Sequence, residues 1–141
     1  MNRAVRDLVR ARANDRCEYC RLPQALAPLA GFHVEHIIAR QHGGGDTPDN
    51  LCWSCHRCNL SKGPNLAGID PASGRLVPLF HPRRQRWSRH FRWHGPVLVG
   101  LTRIGRTTVA VLDINHPQWV ELRRHLLAAG EFPEGGPGPS P

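Results

Sequence analysis

The segment from residue 17 to residue 63 reads CEYCRLPQALAPLAGFHVEHIIARQHGGGDTPDNLCWSCHRCNLSKG and contains two C-x-x-C pairs. Cys17 and Cys20 form the first pair, and Cys55 and Cys58 form the second. A C-x-x-C turn presents two thiolates to one metal ion, and two such turns complete the tetrahedral shell that is typical of structural zinc. We therefore expect a closed zinc site that joins the two ends of this segment and contributes to the folding free energy.

The residues around the cysteine pairs predict short elements. Residues 31–38 are typical of a strand that ends near His36, and residues 51–54 are typical of a second strand. Residues 55–62 fit a short helix that Gly63 and Pro64 end, and residues 2–13 have the apolar spacing of an N-terminal helix. Cys52, the fifth cysteine, is interpreted as a small buried residue on the second strand.

Further short motifs lie between the two cysteine pairs and directly around the second pair. They are EH at residues 35–36, GG at residues 43–44, NL at residues 50–51 and CHRCNLSKG at residues 55–63. Together with the first C-x-x-C pair, this pattern resembles the HNH endonuclease family (ββα-metal or His-Me finger nucleases), in its zinc-knuckle subtype. The resemblance covers residues 17–63 and implies a ββα-metal core that hydrolyses phosphodiester bonds of nucleic acid, with DNA as the expected substrate.

The same resemblance implies a role for four positions. His36 matches the general base that activates water, and Glu35 matches the acidic ligand of a catalytic divalent cation. Asn50 matches the asparagine that braces the loop and orients the base. Asn59 matches the second protein ligand of the cation, where many relatives carry histidine. Mg²⁺ or Mn²⁺ is the expected catalytic cation.

Phosphodiester hydrolysis explains why such residue types are needed. A neutral imidazole has a reference pKa of about 6.5, so it can accept a proton from water near neutral pH. A hard cation on oxygen ligands stabilises the charge of the transition state. Lys62 lies one helical turn beyond Asn59 and is a candidate for phosphate contact, with a solvated helix end as the alternative. His33, on the same strand face as Glu35, is expected to pack or to assist the cation.

The charge balance favours a polyanionic partner. Nineteen lysines and arginines against eleven aspartates and glutamates give a net charge of +8, which points first to nucleic acid. Residues 81–94 alternate basic and aromatic side chains, a pattern that favours phosphate contact with base stacking. The candidate contacts to double-stranded DNA are Arg83, Arg84, Arg86, Trp87 and Arg89. The alternative is an edge whose aromatic residues are core and whose arginines are solvated.

The whole chain is predicted to be an α+β protein with three parts. Residues 1–66 form the HNH nuclease core, residues 67–129 form a β-rich extension packed on the core, and residues 130–141 form a disordered tail. Residues 76–79, 96–101 and 107–112 are short β-type runs. Residues 117–129 fit a closing helix with Asn115 as its candidate cap, and the Gly/Pro-rich end favours disorder.

A cytoplasmic location is the expectation from the sequence. No stretch of about eighteen apolar residues is present to span a membrane, and no secretory signal is visible at the Arg-rich start. In a reducing compartment, paired cysteines bind metal more often than they form disulfides.

A zinc-dependent nucleobase deaminase is one alternative function. Its signature is H-x-E followed by P-C-x-x-C, which His33-Val34-Glu35 and the second cysteine pair match in outline. However, Ser54 occupies the position of the proline, and the first cysteine pair would have no role.

A non-catalytic zinc-ribbon module that binds nucleic acid is the other alternative. It explains the basic charge and the four cysteines equally well. It does not explain adjacent Glu35 and His36 together with Asn50, and a metal-dependent cleavage assay separates the three classes.

Overall fold

The computed structural model describes residues 2–27 and 31–132. The chain divides into two compact units, Met1–Leu66 with His81–Gln85, and Ala67–Phe80 with Arg86–Pro141. Of the tail that the sequence predicts to be disordered, residues 133–141 lie outside the described residues. Phe132, just before them, is buried and meets the ring of Trp93 edge to face at 4.8 Å.

The first unit begins with helix α1, Arg3–Arg12, which the side chain of Asn2 caps by accepting a hydrogen bond from the Val5 amide at 2.9 Å. Strands β1, Phe32–His36, and β2, Leu51–Cys55, form an antiparallel pair in which Glu35 lies opposite Cys52. Helix α2, His56–Lys62, follows β2 without a linker. This β–β–α order confirms the core that the sequence predicts.

The position of β2 in the core of the first unit explains why its sequence is almost entirely apolar. All five residues of β2 are buried, and Trp53 is fully enclosed. Helix α1 lies against both strands, with Val9 fully buried. Arg12 donates a hydrogen bond from Nη2 to the Leu51 carbonyl at 2.6 Å, which fixes the end of α1 to the start of β2.

The second unit contains two hairpins and three helices among its described residues. Strands β3, Ala67–Ile69, and β4, Leu76–Pro78, pair antiparallel, as do β5, Phe91–His94, and β6, Val97–Gly100. The helices are α3, Trp87–His90, α4, Arg103–Val111, and α5, Pro117–Ala128. Helix α4 contacts β3, β4 and β6, so it forms the centre of this unit.

Helix α4 corrects the prediction of a β run at residues 107–112. Thr102 caps the helix by accepting a hydrogen bond from the Gly105 amide at 3.1 Å. The buried hydroxyls of Thr107 and Thr108 donate to the carbonyls of residues 103 and 104, each at 2.7 Å. Because these bonds satisfy both hydroxyls inside the helix, tertiary packing outweighs the β preference of threonine.

The cap of α5 is a second correction. His116, not Asn115, is the N-cap residue, and its Nδ1 accepts a hydrogen bond from the Gln118 amide. Asn115 instead bonds the backbone of Leu98 in β6, through both its amide oxygen and its amide nitrogen. The mixed α+β class itself is confirmed.

Within the described residues, helices stay far below the length of a membrane span, since the longest, α5, has 12 residues.

Candidate functional site

The first feature of the site is a cluster of four buried thiols. The sulfurs of Cys17, Cys20, Cys55 and Cys58 all lie within 4.8 Å of one another, and the sulfurs of Cys20 and Cys55 are 3.8 Å apart. In a tetrahedral site with Zn–S bonds of about 2.3 Å, neighbouring sulfurs are about 3.8 Å apart. The cluster therefore has the donors and the spacing to hold one metal ion of the zinc type.

Backbone amides support the thiols of this cluster. The Cys20 amide points to Cys17 Sγ at 3.5 Å, and the Cys58 amide points to Cys55 Sγ at 3.4 Å. Burial raises the pKa of Cys17, but hydrogen bonds from the other three thiols outweigh it and hold that pKa well below the ordinary value. Hydrogen bonds within the same cluster raise the pKa of Cys20 and of Cys58 well above the ordinary value. The cluster thus favours one thiolate, and a bound metal ion would have to displace the protons of the other ligands.

An open cleft of about 530 Å³ lies beside the end of β1, also within the first unit. Its walls come from β1, from the loop that follows β1 and from the end of α2. The cleft brings together three side chains that the sequence singles out: Glu35, His36 and Asn59.

His36 is held in the cleft by an aspartate. Its Nε2 lies 2.7 Å from Asp46 Oδ1, and Arg40 donates to the same oxygen from Nε at 3.2 Å and from Nη2 at 3.0 Å. Hydrogen bonds from His36 and then Arg40 lower the pKa of Asp46 below its ordinary value. Because an ionised carboxylate only accepts hydrogen bonds, this contact requires a proton on His36 Nε2, as in the tautomer whose Nδ1 carries a free lone pair.

Asp46 is a residue that sequence reasoning missed. The run Gly43-Gly44-Gly45-Asp46 indicates a loop, and nothing in a loop signal identifies the partner of its last side chain. The sequence did contain one chemical indication of this contact. Asp46 is an acidic residue that lies between the candidate base, His36, and Asn50, the asparagine expected to hold the same loop.

Asn50 holds the loop between β1 and β2 to the end of β1. Its Oδ1 accepts from the Ile38 amide at 2.9 Å, and its Nδ2 donates to the carbonyls of Ile38 and Gly45 at 3.0 and 2.8 Å. A Cβ at Gly44 would lie 1.7 Å from the Ile38 carbonyl oxygen, so only glycine fits there. The loop that carries Asp46 is thus closed on a fixed path beside His36.

Glu35 lies at the inner wall of the cleft and is only 5% exposed. Its Oε2 accepts hydrogen bonds from the Tyr19 hydroxyl at 2.7 Å and from the Cys52 thiol at 3.0 Å. Burial, Cys52 and Glu35 raise the pKa of Tyr19 well above its ordinary value, so the phenol stays a donor. Burial and Glu35 likewise raise the pKa of Cys52, which stays a thiol.

The side chain of Lys62 is buried, which differs from the prediction that it contacts phosphate. Its side chain is 2% exposed, with Nζ 2.8 Å from Glu35 Oε1 and 2.9 Å from the Ile37 carbonyl oxygen. Lys62 ends α2, and its side chain runs back to β1, so its charge neutralises Glu35 instead of meeting solvent. Cys52 is buried as predicted, although its thiol has polar partners.

The basic and aromatic residues of segment 81–94 separate into different environments. Trp87 is 5% exposed, with its ring 5.2 Å from that of Phe91 and 6.2 Å from that of Trp93, so it belongs to the core of the second unit instead of a base-stacking surface. Arg83 is partly buried and forms an ion pair with Glu18. Burial and the nearby charge of Arg12 lower the pKa of Arg83 to about 10. The remaining candidates are exposed: Arg84, Arg86 and Arg89.

Comparison with known proteins agrees with the site. Residues 17–65 match the family model described as HNH endonuclease. Neither the curated proteins nor the solved structures gave a match. The matched segment contains the four-thiol cluster and every candidate for catalysis or for the catalytic cation that the sequence singled out: Glu35, His36, Asn50, Asn59 and Lys62. Within this chain, residues 17–65 are therefore the segment that is similar to the HNH endonuclease family.

Proposed function

We propose that the chain is a metal-dependent endonuclease that hydrolyses phosphodiester bonds of double-stranded DNA. The observation that carries the proposal is the pair formed by His36 and Asp46, 2.7 Å apart, at a cleft that Glu35 and Asn59 also line. Such hydrolysis needs a base with a group that orients it, and oxygen donors for a cation close by.

His36 is the general base of the proposed reaction. Asp46 keeps the proton on Nε2, so Nδ1 accepts the proton of the water that attacks phosphorus, while the bond from phosphorus to the leaving oxygen breaks. Arg40 shares Asp46 and lies on the cleft wall, where its positive charge favours an approaching phosphate.

Glu35 and Asn59 are the residues that would hold the catalytic cation. A carboxylate and an amide offer the hard oxygen donors that Mg²⁺ and Mn²⁺ prefer, so the residues present fit such an ion. When bound, the cation supplies Lewis-acid stabilisation of the charge that develops on the phosphate oxygens. Lys62 and Tyr19 both contact the carboxylate of Glu35 and hold it in position.

We further propose that the four-thiol cluster holds a structural Zn²⁺. Four thiolates complete the shell, so no position is left open for chemistry. The thiols must stay reduced to bind the ion, which is why the cytoplasm remains the proposed location.

The two alternatives are less well supported by the contacts. A deaminase would use the second cysteine pair with a histidine on a catalytic zinc, whereas Cys55 and Cys58 share one closed cluster with the first pair. A binding module gives no reason for an aspartate to orient a histidine beside two oxygen donors. The exposed arginines 84, 86 and 89 and the net charge of +8 suit DNA binding under either function.

The first test compares plasmid relaxation by the wild type and by His36→Ala in EDTA, Mg²⁺, Mn²⁺ and Ni²⁺. We expect cation-dependent cleavage by the wild type and a loss of at least about 10²-fold in the variant, because general-base catalysis contributes about 10²–10⁴-fold. Zinc content should be one ion in both proteins. A folded, zinc-loaded wild type that binds DNA but cleaves in no metal would favour the binding module.

Asp46→Ala tests the orienting contact. We expect kcat to fall by about 10–100-fold, as when supporting partners of active-site groups are removed, with little change in KM. Nitrogen NMR shifts of His36 should show mainly the Nε2–H tautomer in the wild type and a mixture in the variant.

The matched control is Asp49→Ala, in the same loop, whose carboxylate bonds Thr47 and not His36. It should keep the wild-type rate and tautomer. An unchanged His36 tautomer in Asp46→Ala would refute the orienting role, whatever its activity.

A further inference from the structure

A second pair of side chains with metal-binding capacity lies outside the contacts described above. His33 lies on β1 two residues before Glu35, and His56 is the first residue of α2, three residues before Asn59. The His33 Nε2 and the His56 Nδ1 are 3.0 Å apart, and the ring centroids are 5.3 Å apart. The strand and the helix that carry the proposed cation ligands thus also bring two imidazoles together.

We propose that His33 and His56 form a further metal site, selective for a borderline divalent cation such as Ni²⁺, Co²⁺ or Zn²⁺. Two nitrogens that bind one ion at about 2.1 Å in neighbouring octahedral positions are about 3.0 Å apart. The observed separation has this value, and an ion bound by both rings would replace the hydrogen bond that joins them. His56 is exposed and His33 is partly exposed, so an ion can reach them from solvent.

The donors make this site chemically distinct from the other two. Imidazole binds zinc, nickel and copper well, whereas Mg²⁺ and Mn²⁺ prefer the oxygen donors of the cleft. The cysteine cluster is a closed shell of four ligands, whereas two imidazoles leave most positions of the ion to water or to an anion. The positive charge of Arg6 near His33 opposes a bare cation, so the site suits an ion that keeps an anionic ligand, such as a phosphate oxygen, to balance that charge.

The test is calorimetric titration of zinc-loaded protein with Ni²⁺ in excess Mg²⁺, which competes with Ni²⁺ for the oxygen donors of the cleft. We expect one equivalent of Ni²⁺ to bind the wild type, with affinity at least about tenfold weaker in His33→Ala and in His56→Ala, because each variant removes half of the protein ligands. Ni²⁺ should also broaden the proton NMR signals of both rings.

Two sets of controls make the result of this titration interpretable. His56 adjoins Cys55, so each variant is first shown to retain one zinc, and His33→Ala provides a change on the other element. His42→Ala, in an exposed loop position, is the matched control and should bind Ni²⁺ like the wild type. Equal Ni²⁺ uptake by the wild type and by the double variant would overturn the site and leave the pair as a hydrogen bond. The readout is independent of DNA cleavage, so it stands apart from the nuclease proposal.

Discussion

Cys58→Ser is expected to abolish stable folding of the first unit and the binding of its zinc ion. Structural zinc contributes an apparent free energy of about 10–16 kcal/mol in zinc-finger peptides near neutral pH, which exceeds the stability of many whole domains. The four sulfurs join the turn at Cys17 and Cys20 to the junction of β2 and α2. Hydrogen exchange measured by mass spectrometry should therefore show lost protection at residues 51–62.

The control for this prediction is Cys52→Ser. Cys52 is also buried on β2, but its thiol contacts Glu35 and Tyr19 and lies outside the four-thiol cluster. Serine can still donate a hydrogen bond to Glu35, so this variant should keep one zinc and the protection of β2 and α2. The assignment of the four ligands is wrong if Cys58→Ser keeps a full equivalent of zinc and normal protection.

Lys62→Met is expected to have the second-largest effect, a loss of about 3–5 kcal/mol in the free energy of unfolding, which is typical when one partner of a buried ion pair is removed. The change leaves the Glu35 carboxylate buried without its counter-ion and the Ile37 carbonyl without its donor. Urea unfolding at a fixed zinc concentration measures the loss.

Two further variants test the cause. Adding Glu35→Gln to Lys62→Met should restore much of the stability, because it removes the unpaired charge. Arg10→Ala removes the exposed ion pair with Asp15 and should cost less than about 1 kcal/mol. If Lys62→Met were as mild as Arg10→Ala, Lys62 would not neutralise Glu35 in the folded protein.

The parts of the site that follow from local spacing could be predicted from the sequence. Each C-x-x-C turn sets the distance between its own two sulfurs. Two such turns complete the four ligands of one metal ion when they lie close together in the fold. The strand that ends near His36 and the helix that Gly63 ends also follow from short-range patterns. For these elements, tertiary structure adds little to what neighbouring residues already specify.

The pairing of charges could not be predicted in the same way. Whether Lys62 extends into solvent or turns back to Glu35 depends on the packing of α2 against β1, which no spacing rule contains. Asp46 meets His36 only because Asn50 and Gly44 set the path of the loop. In α4, the buried threonines donate hydrogen bonds to carbonyls of their own helix. The helical conformation of these residues depends on burial and not on β propensity.

Cys55 links the four-thiol cluster to the helix that follows it. It ends β2, accepts the capping hydrogen bond from the Cys58 amide at the start of α2, and belongs to the four-thiol cluster. An ion bound by that cluster would therefore also fix the start of the helix that carries Asn59 and Lys62. Under the proposed function, the cleft would gain its full set of cation ligands only in chains whose cluster is loaded, so zinc supply would set when DNA cleavage begins.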